Sequence, residues 1–414
     1  MRTESADVMT ALAHGSDPAA CGTDGAGPRY AANELRHPCG DSASRTRRVW
    51  QVINGEHYSG AERVQDLLAL RLPAFGYQPE FVCLRPNLFP RMRSSTETPL
   101  AALPMRGRWD LSPARRLADR LSREEVALLH AHTPRAALIT ARACRRAKVP
   151  WVYHVHSPAA RDSTAGFKNR IAAIVERYCI RGAAAVITVS ESLRRDMAAG
   201  GYDPARLHVV HNGVPVAETP RSADPPRGCW VLGTTALFRP RKGTEVLLQA
   251  LARLRAWNLP VRLTAVGPFE TTEYEAGLKR LAHELRLDSA VEWLGFRRDV
   301  AKQMRCMDLF VLPSLFGEGL PMVVLEAMSL GVPVIASSVE GIPEAIRDGH
   351  DGVLVPPRDP DALASAVARF IRGELNWSAM ARSARSRQQE CFSDLSMARG
   401  TARVYDRVLG TASR

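Results

Sequence analysis

The chain has 414 residues, 45% of them hydrophobic and 24% charged, with a formal net charge of +13. Such a composition is that of a soluble globular protein, and the length points to two domains of ordinary size. The longest apolar stretches, such as 320–334, are broken by Glu326, Pro321 and Pro333, which excludes an uninterrupted bilayer-spanning run of about 20 residues.

The opening MRTESADVMTALAHG lacks the apolar core of a secretory leader, so a cytoplasmic protein is expected. Eight cysteines are scattered singly, among them Cys83, Cys144, Cys179 and Cys306, without a CxxC pair. Zinc and redox motifs are therefore unsupported. The arginines are spread along the chain and form no basic stretch interleaved with aromatics, which argues against nucleic acid. Anionic lipid headgroups and phosphorylated small substrates suit the charge.

In chain order, residues 1–46 are rich in Ala, Gly, Ser, Asp and Arg without an apolar period, and read as a disordered tail. A strand at 49–53 stops at Asn54-Gly55, and Val64, Leu67, Leu68 and Leu72 give helical spacing over 64–75. With a strand at 80–84 this is a strand–helix–strand unit, whose crossover implies parallel pairing. Further strands are expected at 126–132, 151–156, 185–189 and 207–211, with helices at 135–146, 167–181 and 192–199. The segment 216–228 holds Pro220, Pro225 and Pro226 and has linker composition. Beyond it the alternation resumes, with strands at 230–233, 263–266, 291–294, 309–312, 334–336 and 352–355. The helices of this half fall at 244–257, 274–285, 299–305, 322–330 and 361–372, and 375–409 also reads as helical.

The fold class is thus α/β, with two Rossmann-like, doubly wound parallel-sheet domains facing across a cleft. The expected division is a tail at 1–46, a first domain at 47–215, a linker at 216–228, a second domain at 229–373 and terminal helices at 374–414. Ligands of such sheets bind beyond the carboxyl ends of the strands, so the cleft is the expected site.

The most informative stretch is FGEGLPMVVLEAM, from Phe316 to Met328. Its glycines allow unusual backbone angles and close approach of a ligand. Pro321 suits the first turn of a helix, whose free N–H groups and dipole seat a phosphate. Glu318 precedes that helix and Glu326 lies within it, and carboxylates there suit sugar hydroxyls rather than phosphate. The loop Phe238-Arg239-Pro240-Arg241-Lys242-Gly243 lies between a strand and a helix, where cations neutralise a departing diphosphate.

With Glu318 and Glu326 spaced as EGLPMVVLE, the chain resembles the retaining group 1 glycosyltransferases (family four, GT-B fold). Further matching pieces are ALFRPRKGTEVLLQAL, GFRRDV, GVPVIAS, GIPEAI and GHDGVLVPPRD in the second half. SGAERV, ITVSESL and HNGV match in the first. The resemblance implies that the first domain binds the acceptor and the second a nucleotide sugar, with the terminal helices packing back on the first domain. It implies that Glu318 holds hydroxyls of the transferred sugar, Glu326 holds the ribose, and Lys242 binds the diphosphate. Gly319, Leu320 and Pro321 would form the loop against phosphate and sugar. Gly60 would touch the donor from the first domain, and Gly267, Phe296 and Arg297 would lie near the base. Where the family usually carries a second cation this chain has Leu237; Arg239 is the preferred substitute and Arg241 the alternative. His156 resembles a histidine that contacts the donor sugar, with His154 the competing candidate.

The expected reaction moves a sugar from a nucleoside diphosphate to an acceptor hydroxyl with retention, in polysaccharide or glycolipid assembly. No DxD-type acidic pair marks a metal clamp, so no metal and no cofactor beyond the donor is expected. Partners would be the nucleotide-sugar donor, a saccharide or lipid-linked saccharide acceptor and an anionic membrane surface, reached as a peripheral protein on the inner face of the cell membrane. A nicotinamide oxidoreductase would need G-x-G-x-x-G after its first strand, where this chain has NGEHYSGAE. A sugar-nucleotide epimerase of the same fold, and a noncatalytic nucleotide-sugar-binding protein, are the alternatives; interconversion of sugar nucleotides without acceptor would identify the epimerase.

Overall fold

The computed structural model describes residues 46–107, 110–157, 177, 180–222 and 224–411. The expected tail at 1–46, save for residue 46, and most of the helix expected at 167–181 lie outside the described residues.

The first half runs β1 (Arg47–Ile53), α1 (Gly60–Arg71), β2 (Tyr77–Cys83), α2 (Phe89–Met92), β3 (Leu100–Ala102), α3 (Ser112–Leu121), β4 (Leu128–Ala131), α4 (Pro134–Ala147), β5 (Trp151–Val155), β6 (Ala185–Thr188), α5 (Glu191–Ala199) and β7 (Leu207–Val209). The second runs β8 (Trp230–Thr235), α6 (Thr244–Ala256), β9 (Val261–Val266), α7 (Thr272–Glu284), β10 (Val291–Gly295), α8 (Val300–Arg305), β11 (Leu309–Leu312), α9 (Met322–Ser329), β12 (Val334–Ser337), α10 (Ile342–Ala345), β13 (Gly352–Val355) and α11 (Pro360–Ile371). Helices α12 (Trp377–Cys391) and α13 (Asp394–Val408) follow.

Two all-parallel sheets result, ordered β3-β2-β1-β4-β5-β6-β7 and β10-β9-β8-β11-β12-β13. In each the strand order reverses beside the first strand of its half, which opens a crevice at the carboxyl ends. Strand β1 is covered on both faces: Val49, Trp50, Val52 and Ile53 are all buried, and so is Gln51 between them. The expected linker falls between β7 and β8.

Elements absent from the sequence reading are short or weakly patterned. Strand β3 is three residues at a sheet edge, and α2 and α10 are single turns. Helix α3 (SPARRLADRL) buries Ala114, Leu117, Ala118 and Leu121 along one face, a stripe diluted by its arginines. The helix expected from residue 64 begins at Gly60, where Ser59 and Glu62 form a capping box. Pro321 stands one residue before α9, as its N-cap, rather than in its first turn.

Two passages of chain join the domains, and they bond to each other. Val214 N donates to Phe392 O and Asp394 N donates to Val214 O, each at 3.0 Å. Gln388 Nε2 adds a bond to Val214 O at 2.9 Å. Helix α12 packs on α9 of the second domain, whereas α13 crosses to the first. There Arg71 Nε meets Asp394 Oδ2 at 2.6 Å, and Tyr77 Oη donates to Asp406 Oδ1 at 2.7 Å. One apolar cluster runs through both domains, from Val52 and Val155 to Leu320 and Met322, so the halves are closed on one another.

At Gly213 the passages pack closely, and a Cβ on it would lie 2.1 Å from Ser393 O. Gly213→Ala must therefore push the two passages apart, at a cost of about 1–3 kcal/mol. A lowered urea midpoint checks this, and an unchanged midpoint would show the junction to be loose.

Candidate functional site

The loop between β11 and α9 lies at the carboxyl end of its strand, facing the first domain. Glu318 is its buried carboxylate. Lys242 Nζ donates to Glu318 Oε1 at 2.5 Å, and Ser314 Oγ donates to the same oxygen at 2.6 Å. Arg241 Nη1 stands 3.8 Å away and donates to Gly317 O at 2.8 Å, which fixes the loop backbone. Lys242 is placed by a short 3₁₀ turn, Pro240–Lys242, after β8. Gly243 then turns the chain into α6 at φ 64°, where a Cβ would strike Pro313 O at 2.1 Å.

Burial pushes the Glu318 carboxyl up, but Lys242 and then Arg241 outweigh it and hold the group below the usual carboxylate range. Lys242 is shifted down, first by its own burial, against which the attraction of Glu318 works. The site thus keeps a carboxylate and an ammonium ion together, largely out of water.

The first domain closes on this loop. A Cβ on Gly319 would lie 2.2 Å from His156 O, so only a glycine lets the backbone following β5 pass this near. Asn212 Nδ2 donates to Leu320 O at 2.8 Å. Gly60 faces the start of α9, with Met322 Sδ 4.0 Å from its Cβ position. Arg63, one turn into α1, forms an ion pair with Glu326. Glu344 accepts from Glu191 N at 2.7 Å and Ser192 N at 2.8 Å, and His211 Nε2 lies 3.0 Å from it. A second-domain carboxylate thereby seats on the N-terminus of α5, where the helix dipole favours it. Beside Gly319 this leaves only a tight recess, lined by Ser190, Leu193 and Glu340 among others, with no room for a water molecule.

Glu318, Lys242, Gly319, Leu320, Pro321 and His156 are therefore brought together, with Gly60 and Glu326 at the next turn of α9. Arg239 is turned to Glu270, 3.5 Å away, and Arg241 is the arginine beside Glu318. Leu237 is exposed. Gly267, Phe296 and Arg297 follow neighbouring strands β9 and β10, where Gly267 N donates to Gly295 O at 2.8 Å. Gly267 has φ 130° and no room for a Cβ against Ala236 O, whereas Phe296 and Arg297 are exposed. His154 is buried with neither ring nitrogen hydrogen-bonded. Ser314, Arg63, Asn212 and Glu344 were not singled out from the sequence. SGAERV, HNGV and GIPEAI did hold the last three, and Ser314 stands four residues before Glu318.

His130, His132 and His154 bring ring nitrogens within 4.8 Å of one another, which is ligand-like spacing. The rings of His130 and His154, however, stack 3° from parallel at 5.3 Å. Lone pairs lie in the ring plane, so in this arrangement they run side by side and do not converge. Among the described residues no helix is long and apolar enough to cross a membrane.

Two parallel-sheet domains with a charged loop at their junction define a GT-B protein of two Rossmann-like halves. The glycosyl transferases group 1 family profile matches residues 230–372, and the glycosyltransferase family 4 profile matches residues 58–218. A phosphatidyl-myo-inositol mannosyltransferase of Mycobacterium leprae is 31% identical over 60% of this chain, and the match spans 65% of that enzyme. A glycogen synthase of Mycobacterium tuberculosis is 31% identical over 69% of this chain and 70% of its own length. The chain belongs to the group 1 glycosyltransferases. The fold is shared with Anabaena HepE, solved in complex with UDP, at a TM-score of 0.76 and 21% identity, covering 86% of this chain and 98% of that one.

The sign of the Glu318 effect sets an acid limb of stability. With a folded pKa below the ordinary value of about 4.3, Glu318 contributes stability that is complete above that pH and lost as pH falls through the folded pKa. Lys242→Ala leaves the buried carboxylate without its nearest counter-charge, a loss of about 3–5 kcal/mol for a fully buried pair. Burial then dominates and raises the Glu318 pKa, so the variant loses stability as pH rises through it. Urea midpoints from pH 3 to 7 should diverge between the two proteins, and parallel curves would contradict the assigned charge state.

Proposed function

We propose that this chain is a retaining, metal-independent hexosyltransferase that moves a sugar from a nucleoside-diphosphate sugar to an acceptor hydroxyl. One observation carries the reading: Lys242 and Glu318 meet at the start of α9, against first-domain backbone. In the proposed cycle the donor separates the pair. Lys242, with Arg241 behind it, turns to the diphosphate, where negative charge develops as the glycosidic bond breaks. Glu318 takes sugar hydroxyls, and Glu326 exchanges Arg63 for the ribose. The acceptor attacks from the face the diphosphate leaves, and a phosphate oxygen takes its proton. Electrostatic stabilisation of the leaving group supplies what a metal would.

The UDP complex of the Anabaena protein supports a nucleotide-sugar donor. The likeness to a phosphatidyl-myo-inositol mannosyltransferase supports a lipid-linked or saccharide acceptor in glycolipid or polysaccharide assembly. The charge of +13 supports peripheral attachment to an anionic membrane surface. The recess beside Gly319 has no room for even a water molecule, far short of an ordinary ligand site, so donor entry requires the halves to part and close again.

Calorimetry against UDP-, GDP- and ADP-sugars tests the donor, and the anomeric configuration of the product tests retention. Turnover should survive EDTA. Lys242→Ala should lower kcat/KM by about 10²–10³-fold, the usual loss for one group stabilising a developing anion. Turnover near that of the unsubstituted protein would remove Lys242 from the chemistry.

A further inference from the structure

Behind the cleft the first sheet buries a line of polar side chains that leads to His156. Gln51 on β1, His130 on β4 and His132 just after it are buried, and His156 follows β5 at the second-domain loop. Tyr405 reaches this line from α13, fully buried. Gln51 Nε2 donates to Tyr405 Oη at 3.2 Å, and Tyr405 Oη lies 2.6 Å from His130 Nδ1. Gln51 Oε1 lies 2.8 Å from His132 Nε2, and His132 Nδ1 lies 3.1 Å from His156 Nε2.

With the Gln51 amide oxygen toward His132 and its NH2 toward Tyr405, these contacts set where each proton sits. A carboxamide oxygen only accepts, so the proton between Gln51 and His132 is on His132 Nε2. A neutral imidazole has one N–H, which makes His132 Nδ1 a lone pair and His156 Nε2 the donor to it. His156 Nδ1 is then the single acceptor its ring can offer. At the other end Tyr405, having accepted from the amide, spends its own proton on His130 Nδ1. The rings are neutral near pH 7, since burial pushes His156 down to about 4 and His130 down to about 3.

We infer that Gln51 and Tyr405 are positioning residues, which act through His132 to hold His156 in its Nε2–H tautomer and so present Nδ1 as a hydrogen-bond acceptor to a hydroxyl of the donor sugar. The inference rests on the donor site proposed above, because His156 O lies against Gly319 in that site. The last helix of the chain thereby takes part in the chemistry without touching the substrate. A sugar hydroxyl reaching Nδ1 must donate, and its own oxygen stays available to other donors. The amide of Gln51 is the element that gives the line a direction, because its oxygen and its NH2 cannot exchange roles, whereas the two nitrogens of an imidazole can.

Long-range ¹H–¹⁵N spectra of the histidine-labelled full chain at pH 7 read each tautomer directly. His132 and His156 should each show a protonated Nε2 and an unprotonated Nδ1. A protonated Nδ1 on His156 in the unsubstituted protein overturns the inference, whatever the activity. Tyr405→Phe keeps the ring and frees the amide to turn over, and Gln51→Leu removes the acceptor. In either variant the His156 signals should divide between tautomers, with kcat reduced about tenfold or more and donor KM changed less than about threefold, as for a mis-set tautomer at an intact binding site. An undivided His156 signal with unchanged kcat would refute the positioning role. Absence of transfer with every donor tried would instead count against the proposed function and leave the tautomer result standing.

Discussion

Everything at the domain junction depends on one carboxylate kept out of water. Glu318 is tolerated there because Lys242, Ser314 and Arg241 surround it, and those three come from two separate loops of the second domain. The pair is expensive to bury, and buried ion pairs are not in general a source of stability. Its presence at the start of a helix, beside backbone of the other domain, is better understood as a stored arrangement of charge that a ligand of opposite pattern can exchange into. A diphosphate next to sugar hydroxyls has that pattern, with its anion for Lys242 and its donors for Glu318.

Glycines govern how close the halves come. Gly319 lets His156 backbone lie against the loop, and Gly341 admits Ser190, whose Cβ would be 3.0 Å from a Cβ there. Each glycine is thus specified by a neighbour from far along the chain. Polar groups complete the closure: Asn212 on Leu320 O, Glu344 on α5, and Arg63 on Glu326. Several of these groups lie inside the proposed donor site, so the contacts that hold the closed form and those that would hold the ligand draw partly on the same atoms.

Much of this was legible beforehand because parallel sheets advertise themselves. Their strands are buried on both faces and read as short apolar runs, as Leu309–Leu312 and Gly352–Val355 do, separated by helices with a 3.6-residue stripe. Strand β3 escaped since three residues at an edge carry too little pattern. The meeting of Lys242 with Glu318 followed from each lying after a strand of one sheet. The choice between Arg239 and Arg241 did not, because it turns on the twist of a single 3₁₀ turn that spacing cannot express. The polar line through Gln51, His132 and Tyr405 was equally hidden. Its members are scattered across the chain, from β1 to the last helix, and lone buried histidines and a tyrosine have many structural uses.

The paired passages at Val214 and Phe392–Asp394 carry a mechanical consequence. A single connecting strand would let one half swivel freely, but two strands laced by backbone hydrogen bonds act as a flat ribbon. Such a ribbon flexes readily about one line and resists torsion about the other two. The opening proposed for donor entry would thereby be confined to a book-like swing, with the lips of the fissure parting and the spine staying shut. Closure along such a path would return Gly319 to the same spot beside His156 without a search for alignment.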